Sequence, residues 1–245
     1  MNSKKITCII SHPWTDSNNV FIQRLEESLT KQGLDIKVDN ERILSEDNLS
    51  LIIKNIIKSE GDIFILVLTN NALQSESCSK ELDFALKTDK PIIPIFTDSC
   101  EIPESMTSLF YTDFRGLTNP DSPEFDVAKF DLEIEKLVRG IKKTLRMHQL
   151  ISILNNHKPE KRIEAAKMLA EKRYPKAVKA IYTRLGKELD SNVIYWFAMA
   201  LGKLAELKTL EGERAIKILK DLQSNKSLKV KQGVLNALMH LKRIK

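Results

Sequence analysis

The stretch that decides the fold of the first half reads GDIFILVLTNNALQSESCSKEL and runs from Gly61 to Leu82. Residues 63–68 are apolar at every position, which is typical of a central strand in a parallel sheet covered by helices on both faces. The polar residues that follow it come at the carboxyl end of that strand, where open α/β sheets bind ligands. Glu81 then begins an apolar helical stripe with Leu82 and Ala85. A carboxylate at this point is either a charge on a helix surface or a catalytic group.

Strand and helix patterns alternate on both sides of this stretch. The apolar periodicity predicts strands at 6–10, 34–38, 62–68 and 91–96, a fifth strand near 109–114, and helices at 20–32, 49–59 and 79–88. Gly33 follows the first helix, where a glycine suits a helix C-cap. This alternation predicts an α/β domain with a parallel five-stranded sheet, helices on both faces and right-handed crossovers.

Length and composition bound the class of protein. A chain of 245 residues suits two domains. No apolar run approaches the roughly 18–20 residues that a membrane span needs, and the N-terminus leads into a strand pattern rather than a signal peptide. We therefore expect a cytoplasmic protein without membrane contact. Cys8, Cys78 and Cys100 form no CxxC pair, which argues against a disulfide framework or structural zinc, and Cys8 is predicted to be a small core residue.

Several common catalytic and cofactor motifs are absent from the sequence. Neither GxGxxG nor GxxxxGK[ST] occurs, which argues against a dinucleotide-binding Rossmann site and a P-loop ATPase. The 4 histidines form no HExxH motif, and there is no GxSxG elbow. We expect neither a bound metal nor a resident cofactor.

The charge is divided sharply between the two halves. Residues 1–140 hold 15 Lys and Arg against 24 Asp and Glu, a net charge of −9, whereas residues 141–245 hold 24 against 9, a net charge of +15. Such asymmetry supports two domains and suggests that the second meets something acidic. Three roles stay open for the basic half: it binds nucleic acid, it docks against a protein surface such as the acidic half of the same or a neighbouring chain, or its charge is merely solvated.

The second half, residues 141–245, reads as helices throughout. Three segments align internally, with their final leucines, Leu169, Leu201 and Leu238, spaced by 32 and 37 residues. Helix pairs repeating at that period resemble HEAT-type repeats, an all-α solenoid. Tyr195, Trp196 and Phe197 form an aromatic cluster in the middle repeat, which we interpret as core packing in preference to a ligand platform.

Six motifs of the first half occur in the order and spacing of a known family. They are IISH at 9–12, DNERIL at 39–44, ILVLT at 65–69, SESCSKEL at 75–82, PIIPI at 91–95 and YTDFRG at 111–116. In that order they resemble the FISH box, the BB loop, the third strand, the SxWCxxEL motif and the later strands of Toll/interleukin receptor (TIR) domains. The resemblance covers roughly residues 4–140 and is closest to TIR proteins of bacterial and archaeal defence systems. It implies a flavodoxin-like fold for residues 1–140, followed by a HEAT-like domain over residues 141–245.

The resemblance also implies an activity. Many TIR domains of this style cleave the nicotinamide–ribose bond of NAD, and the family's catalytic glutamate falls on Glu81. NAD would then be a substrate, and the site would need no cofactor. The matching motifs imply substrate contacts from Ser11, His12, Trp14, Asp39, Arg42 and Ser77. Domains of this family act as oligomers, in which the BB loop of one subunit completes a neighbour's site.

Two positions depart from the family pattern. The tryptophan found four residues before the catalytic glutamate is Ser77 here, and the loop at 45–49 lacks the usual glycine. Loss of an aromatic platform weakens stacking, and loss of glycine removes easy access to positive φ. Two further hypotheses therefore stand beside the NAD-cleaving enzyme: a non-enzymatic TIR adaptor, and a regulator that binds nucleic acid through the basic half.

Overall fold

The computed structural model describes residues 5–12, 20–38, 61–69, 76, 90–97, 109–117 and 124–244. Up to residue 117 these ranges contain the helix α1 (Val20–Lys31) and the strands β1 (Thr7–Ser11), β2 (Asp35–Val38), β3 (Ile63–Leu68), β4 (Ile92–Phe96) and β5 (Thr112–Asp113). All neighbouring strands pair in parallel, in the order β2-β1-β3-β4-β5. This confirms the predicted α/β class and gives it the flavodoxin-like order. The helices predicted at 49–59 and 79–88 lie outside the described residues.

Strand β3 is buried on both faces, as its sequence predicts. Ile63, Ile65 and Val67 share one core with residues of α1, and the alternate side chains of the strand are equally buried. Its edges are covered because β1 pairs on one side and β4 on the other. A strand with no polar position tolerates only such a central place in the sheet.

Helix α1 ends at a glycine in the left-handed region. Gly33 has φ +84°, its N–H donates to the carbonyl of Thr30 at 2.9 Å, and the N–H of Leu34 donates to that of Leu29 at 3.3 Å. A positive φ is accessible to glycine without a Cβ penalty, so the predicted C-cap is confirmed.

The fifth strand is shorter than the pattern near 109–114 predicts. Only Thr112 and Asp113 pair with β4, opposite Ile95 and Phe96. The ring of Phe110 instead lies against Gly140, on the space that a Cβ would occupy there. Side-chain packing of this segment thus replaces the longer ladder that its apolar residues suggest.

Six helices follow: α2 (Val127–Ile153), which begins in the first half and packs in its core, and then α3 (Pro159–Glu171), α4 (Ala177–Leu185), α5 (Ser191–Leu204), α6 (Leu210–Leu222) and α7 (Leu228–Ile244). The chain divides into two compact units, Met1–Leu145 and Arg146–Lys245. This division falls inside α2, five residues after the boundary expected between residues 140 and 141.

The helical unit has two layers. Helix α5 packs against α3 and α7 in one layer, and α4 and α6 pack against each other in the second layer and also contact α5. The internally aligned positions that include Ala165, Phe197 and Val234 are buried in one core, which confirms the HEAT-like pattern. Of the aromatic cluster, Phe197 is fully buried, whereas Tyr195 and Trp196 are half-buried and meet edge-on at 5.3 Å between ring centroids.

A network of charged side chains, Arg162, Arg184 and Glu188, links separate segments of this unit. The carboxylate of Glu188 accepts hydrogen bonds from Arg162 Nε at 2.7 Å and Nη2 at 2.8 Å, and it forms an ion pair with Arg184 at 3.1 Å. Arg162 Nη1 also donates to the carbonyls of Asn156 and His157. The side chains of Arg162 and Glu188 are only 7% and 2% exposed, so each buried charge is compensated by the opposite charge of its partner and not by water.

We predict that Glu188→Ala destabilises the helical unit by about 3–5 kcal/mol, because it leaves the Arg162 guanidinium buried without its carboxylate. Urea unfolding of the full chain, followed by far-ultraviolet circular dichroism, measures the loss. Glu164→Ala is the matched control, since Glu164 forms an exposed pair with Lys161 at 3.4 Å, and we expect it to change stability by less than about 0.5 kcal/mol. Equal effects of the two substitutions would contradict the structural role of the buried network.

Candidate active site at the carboxyl edge of the sheet

The strand order creates a switch point between β1 and β3. The chain leaves β1 to form β2 on one side, and β3 lies on the other side, in register from Cys8 opposite Ile63 to Ser11 opposite Leu66. In open α/β sheets the crevice outside the carboxyl ends of such strands binds ligands. The residues that end β1 and β3 therefore mark the candidate site on topology alone.

Polar side chains are buried at this switch point. Ser11 ends β1, His12 follows it, and Thr69 follows β3; their exposed fractions are 1%, 8% and 9%. Two hydroxyls and an imidazole provide both donors and acceptors for a polar ligand. Burial holds such groups in fixed positions, which is what substrate orientation requires.

The predicted site residues divide into two groups. Ser11 and His12 lie together at the end of β1, whereas Trp14, Asp39, Arg42, Ser77 and Glu81 lie outside the described residues. Thr69 was not named as a binding residue by the sequence interpretation, although it is the first polar position after the apolar strand. Between Thr69 and Lys90 the structure describes Glu76, which is helical and exposed.

At the carboxyl end of β5, the negative charge of Asp113 is neutralised by the guanidinium of Arg115. Arg115 donates to Asp113 from Nε at 2.8 Å and from Nη2 at 2.7 Å, and its guanidinium lies 5.5 Å from the centroid of the Phe96 ring. Hydrogen bonds from the Arg115 side chain hold the pKa of Asp113 below its usual range. Lys129 Nζ donates to the Arg115 carbonyl at 2.6 Å. Asp113 is thus a fixed carboxylate that orders its turn, and it is unsuited to donate a proton near neutral pH.

The amino end of β1 has a structural role. The backbone N–H of Thr7 donates to Asp62 at 3.0 Å, and its hydroxyl donates to Asp35 at 3.1 Å. Burial, assisted by the charges of Asp62 and Asp35, raises the pKa of the Cys8 thiol to about 12. Cys8 is therefore protonated and fully buried, which confirms it as a core residue and excludes it as a nucleophile near neutral pH.

The described ranges contain neither a cluster of metal-binding side chains nor a helix able to cross a membrane. Within them, no group of three or more His, Cys, Asp or Glu side chains is arranged to hold a metal ion. None of the helices in these same ranges combines the length and the apolar character that crossing a membrane requires.

Comparison with known families identifies both halves. Residues 9–129 match the TIR domain, and residues 147–239 match HEAT repeats. A search of curated proteins found no match. Among solved structures, the constitutive lysine decarboxylase of E. coli aligns with 63% of this chain at 13% identity and a TM-score of 0.36. The alignment spans 20% of that enzyme, and a likeness this weak carries no argument about fold or function.

We predict that Cys8 resists alkylation in the folded protein. In a Cys78→Ser/Cys100→Ser variant, iodoacetamide at pH 9 should leave Cys8 unmodified, since its thiol keeps its proton up to about pH 12. The same thiol, once unfolded in urea, ionises near its ordinary pKa of 9.0 and should react fully. Its contribution to stability is complete below pH 9 and is lost as the pH rises from there towards 12. Mass spectrometry measures the modified fraction, and rapid labelling of the native protein would contradict the burial.

Proposed function

Because residues 9–129 form a TIR domain and residues 147–239 form HEAT repeats, we propose that the chain cleaves the nicotinamide–ribose bond of NAD. The observation that carries this proposal is the burial of Ser11 and His12 at the switch point of a flavodoxin-like sheet. Strand β3 ends at the same edge, and the sequence motif that contains Glu81 begins seven residues after it. Site position and sequence motif thus support the same activity.

The reaction needs little from the protein beyond one carboxylate. Nicotinamide is a cationic leaving group, so the C–N bond breaks with its electron pair moving to the ring, and departure needs little acid catalysis. The ribose then develops oxocarbenium character, which the carboxylate of Glu81 stabilises, as carboxylates do in glycoside hydrolysis. Water completes the reaction by bonding to the ribose carbon and releasing a proton, which gives ADP-ribose. Attack by a nitrogen of the adenine base would give a cyclic isomer instead.

Substrate positioning falls to the remaining polar and aromatic residues. We propose that Ser11, His12 and Thr69 hold the substrate from the switch point, and that Asp39 and Arg42 contact it from the loop after β2. His12 and Arg42 suit the pyrophosphate. Ser77 replaces the family's aromatic platform at a cost on the order of 1 kcal/mol of stacking. Trp14, two residues beyond His12, is the candidate replacement platform.

Assembly completes the proposal. TIR domains commonly self-associate, and we propose that this chain is active only when clustered, with the BB loop of one copy contributing to a neighbour's site. The HEAT unit would then act as a sensor or assembly module in the cytoplasm, in antiviral or stress signalling. An adaptor that uses the same surfaces without cleaving NAD is the second candidate, and Ser77 is the feature that favours it.

We predict that the concentrated or bead-clustered protein releases nicotinamide from NAD and that Glu81→Gln lowers the rate by about 10²–10³-fold or more, because the developing ribose cation loses its counter-charge. Chromatography of free nicotinamide measures the rate, and circular dichroism checks the fold. Glu76→Gln is the matched control, five residues earlier and exposed, and should keep most of the activity. Wild-type protein that is inert under every clustering condition would favour the adaptor.

We further predict that Ser77→Trp lowers the KM for NAD by about fivefold, the equivalent of roughly 1 kcal/mol of recovered stacking. Trp14→Ala should raise KM by a similar factor if Trp14 supplies the alternative platform. Steady-state kinetics on clustered protein give both values. An unchanged KM in Trp14→Ala would remove Trp14 from the site and leave it as loop packing.

A further inference from the structure

A groove lies between α5 and α7 in the helical unit, on surface that NAD cleavage does not use. Its volume is about 400 Å³, and it is lined by Met199 and Lys203 of α5 and by Asn236, Met239 and His240 of α7. All of these residues belong to the helical unit, so the groove is complete within it.

Small residues form the floor of the groove. A Cβ added to Gly202 would lie 2.7 Å from the Cβ of Ala237, and one added to Gly233 would lie 2.8 Å from the Tyr195 ring. The two helices therefore approach closely at their contact line, while the long side chains of Met199 and Met239 stand beside it. Such packing opens a channel above the floor.

Hydrogen bonds hold the side chains at either end of the lining stretch of α7, Asn236 and His240. At one end Asn236 Nδ2 donates to the Tyr195 hydroxyl at 3.4 Å. At the other end His240 Nε2 and Glu206 Oε1 are 2.9 Å apart, and Glu206 also accepts from Arg173 at 3.3 Å. The lining runs from Met199 to Lys203 along α5 and from Asn236 to His240 along α7, about 6 Å on each helix at 1.5 Å per residue. That length fits about one helical turn or two extended residues of a ligand.

Met199, Met239 and Lys203 line the groove, and further lysines and an exposed leucine lie outside its lining on α7. Helix α7 contains no Asp or Glu, and Lys229, Lys231 and Lys242 are exposed on it. Leu235 and Met239, one turn apart on the same helix, are 51% and 47% exposed. Among the described residues, Lys203 has no acidic partner. This surface complements a ligand that is both acidic and apolar.

We propose that the groove between α5 and α7 binds an acidic segment of a partner protein that inserts apolar side chains between Met199 and Met239. Unbranched thioethers adapt to different apolar side chains, and Lys203 with the lysines of α7 pairs with flanking carboxylates. A nucleic acid would satisfy the lysines but leave the leucine and methionine side chains against phosphates. A lipid surface would meet the exposed side chains but would not enter a groove between two helices.

Fluorescence anisotropy of the full chain with a labelled peptide tests the proposal. The probe is a peptide of about 12 residues that alternates Leu with Glu and Asp, so that an apolar side chain is flanked by carboxylates on both sides. Two matched peptides replace Leu by Ser or the acidic residues by Lys. We expect the first peptide to bind, both controls to bind at least about tenfold more weakly, and added salt to weaken binding without abolishing it.

Paired variants locate the binding surface. Lys203→Glu and Met239→Glu should each weaken the peptide by about tenfold or more, since one reverses the charge of the wall and the other places a carboxylate in the channel. The controls make the same changes in the other layer: Lys217→Glu, and Leu210→Glu at a side chain that is 69% exposed. Circular dichroism confirms that all four fold. Equal losses in the groove variants and in the controls would overturn the proposal.

The other occupants are tested with the same variants. Tighter binding of duplex DNA, RNA or anionic phospholipid vesicles than of the acidic peptide, lost in Lys203→Glu, would overturn the proposal in favour of that ligand. Self-association of the chain that Met239→Glu abolishes, with no peptide binding, would assign the groove to a second copy. Peptide binding that follows only the groove variants supports the proposal.

Discussion

The first half of the molecule depends on one constraint: a strand without a polar position must be covered on both faces and both edges. Strand β3 meets this only at the centre of the sheet, paired with β1 and β4. That placement puts β1 and β2 on one side of it and β4 and β5 on the other, and so creates the switch point. The buried hydroxyls and imidazole at the carboxyl ends of β1 and β3 are then brought together by topology. The candidate site is a consequence of how β3 is buried.

Much of the fold could be predicted from sequence because its signals are local. The apolar run of β3 predicts a buried strand, and the glycine after α1 predicts a helix C-cap, and each prediction needs only a few neighbouring residues. The length of β5 could not be predicted in this way, since the ring of Phe110 packs on Gly140, thirty positions along the chain. The network around Glu188 also escaped prediction, because Arg162 is twenty-six residues away and both look like ordinary surface charges in sequence. For the site, motif order predicted Ser11 and His12, whereas Thr69 follows from the strand register.

The charge surplus of the second half is distributed unevenly. The cations at the heart of the helical unit, Arg162 and Arg184, share one buried carboxylate. Helix α7, in contrast, carries basic and apolar residues without an acidic one. The net charge of that half is thus a poor guide to its surface, and the arrangement on single helices is more informative. On the functions proposed above, the TIR unit would carry the chemistry at its sheet edge and the helical unit would carry recognition in its groove.

The repeat architecture gives the groove a mechanical consequence. In a stacked helical array, stability is approximately a sum of nearest-neighbour interfaces, so an outer helix detaches more easily than an inner one. Helix α7 packs against α5 and α6, whereas α5 packs against α3, α4, α6 and α7. A ligand bound between α5 and α7 would therefore contact both helices, stabilise their interface and oppose local unfolding of α7. As occupancy of the groove rises, the repeat that contains α7 would become more rigid, with no change in the fold.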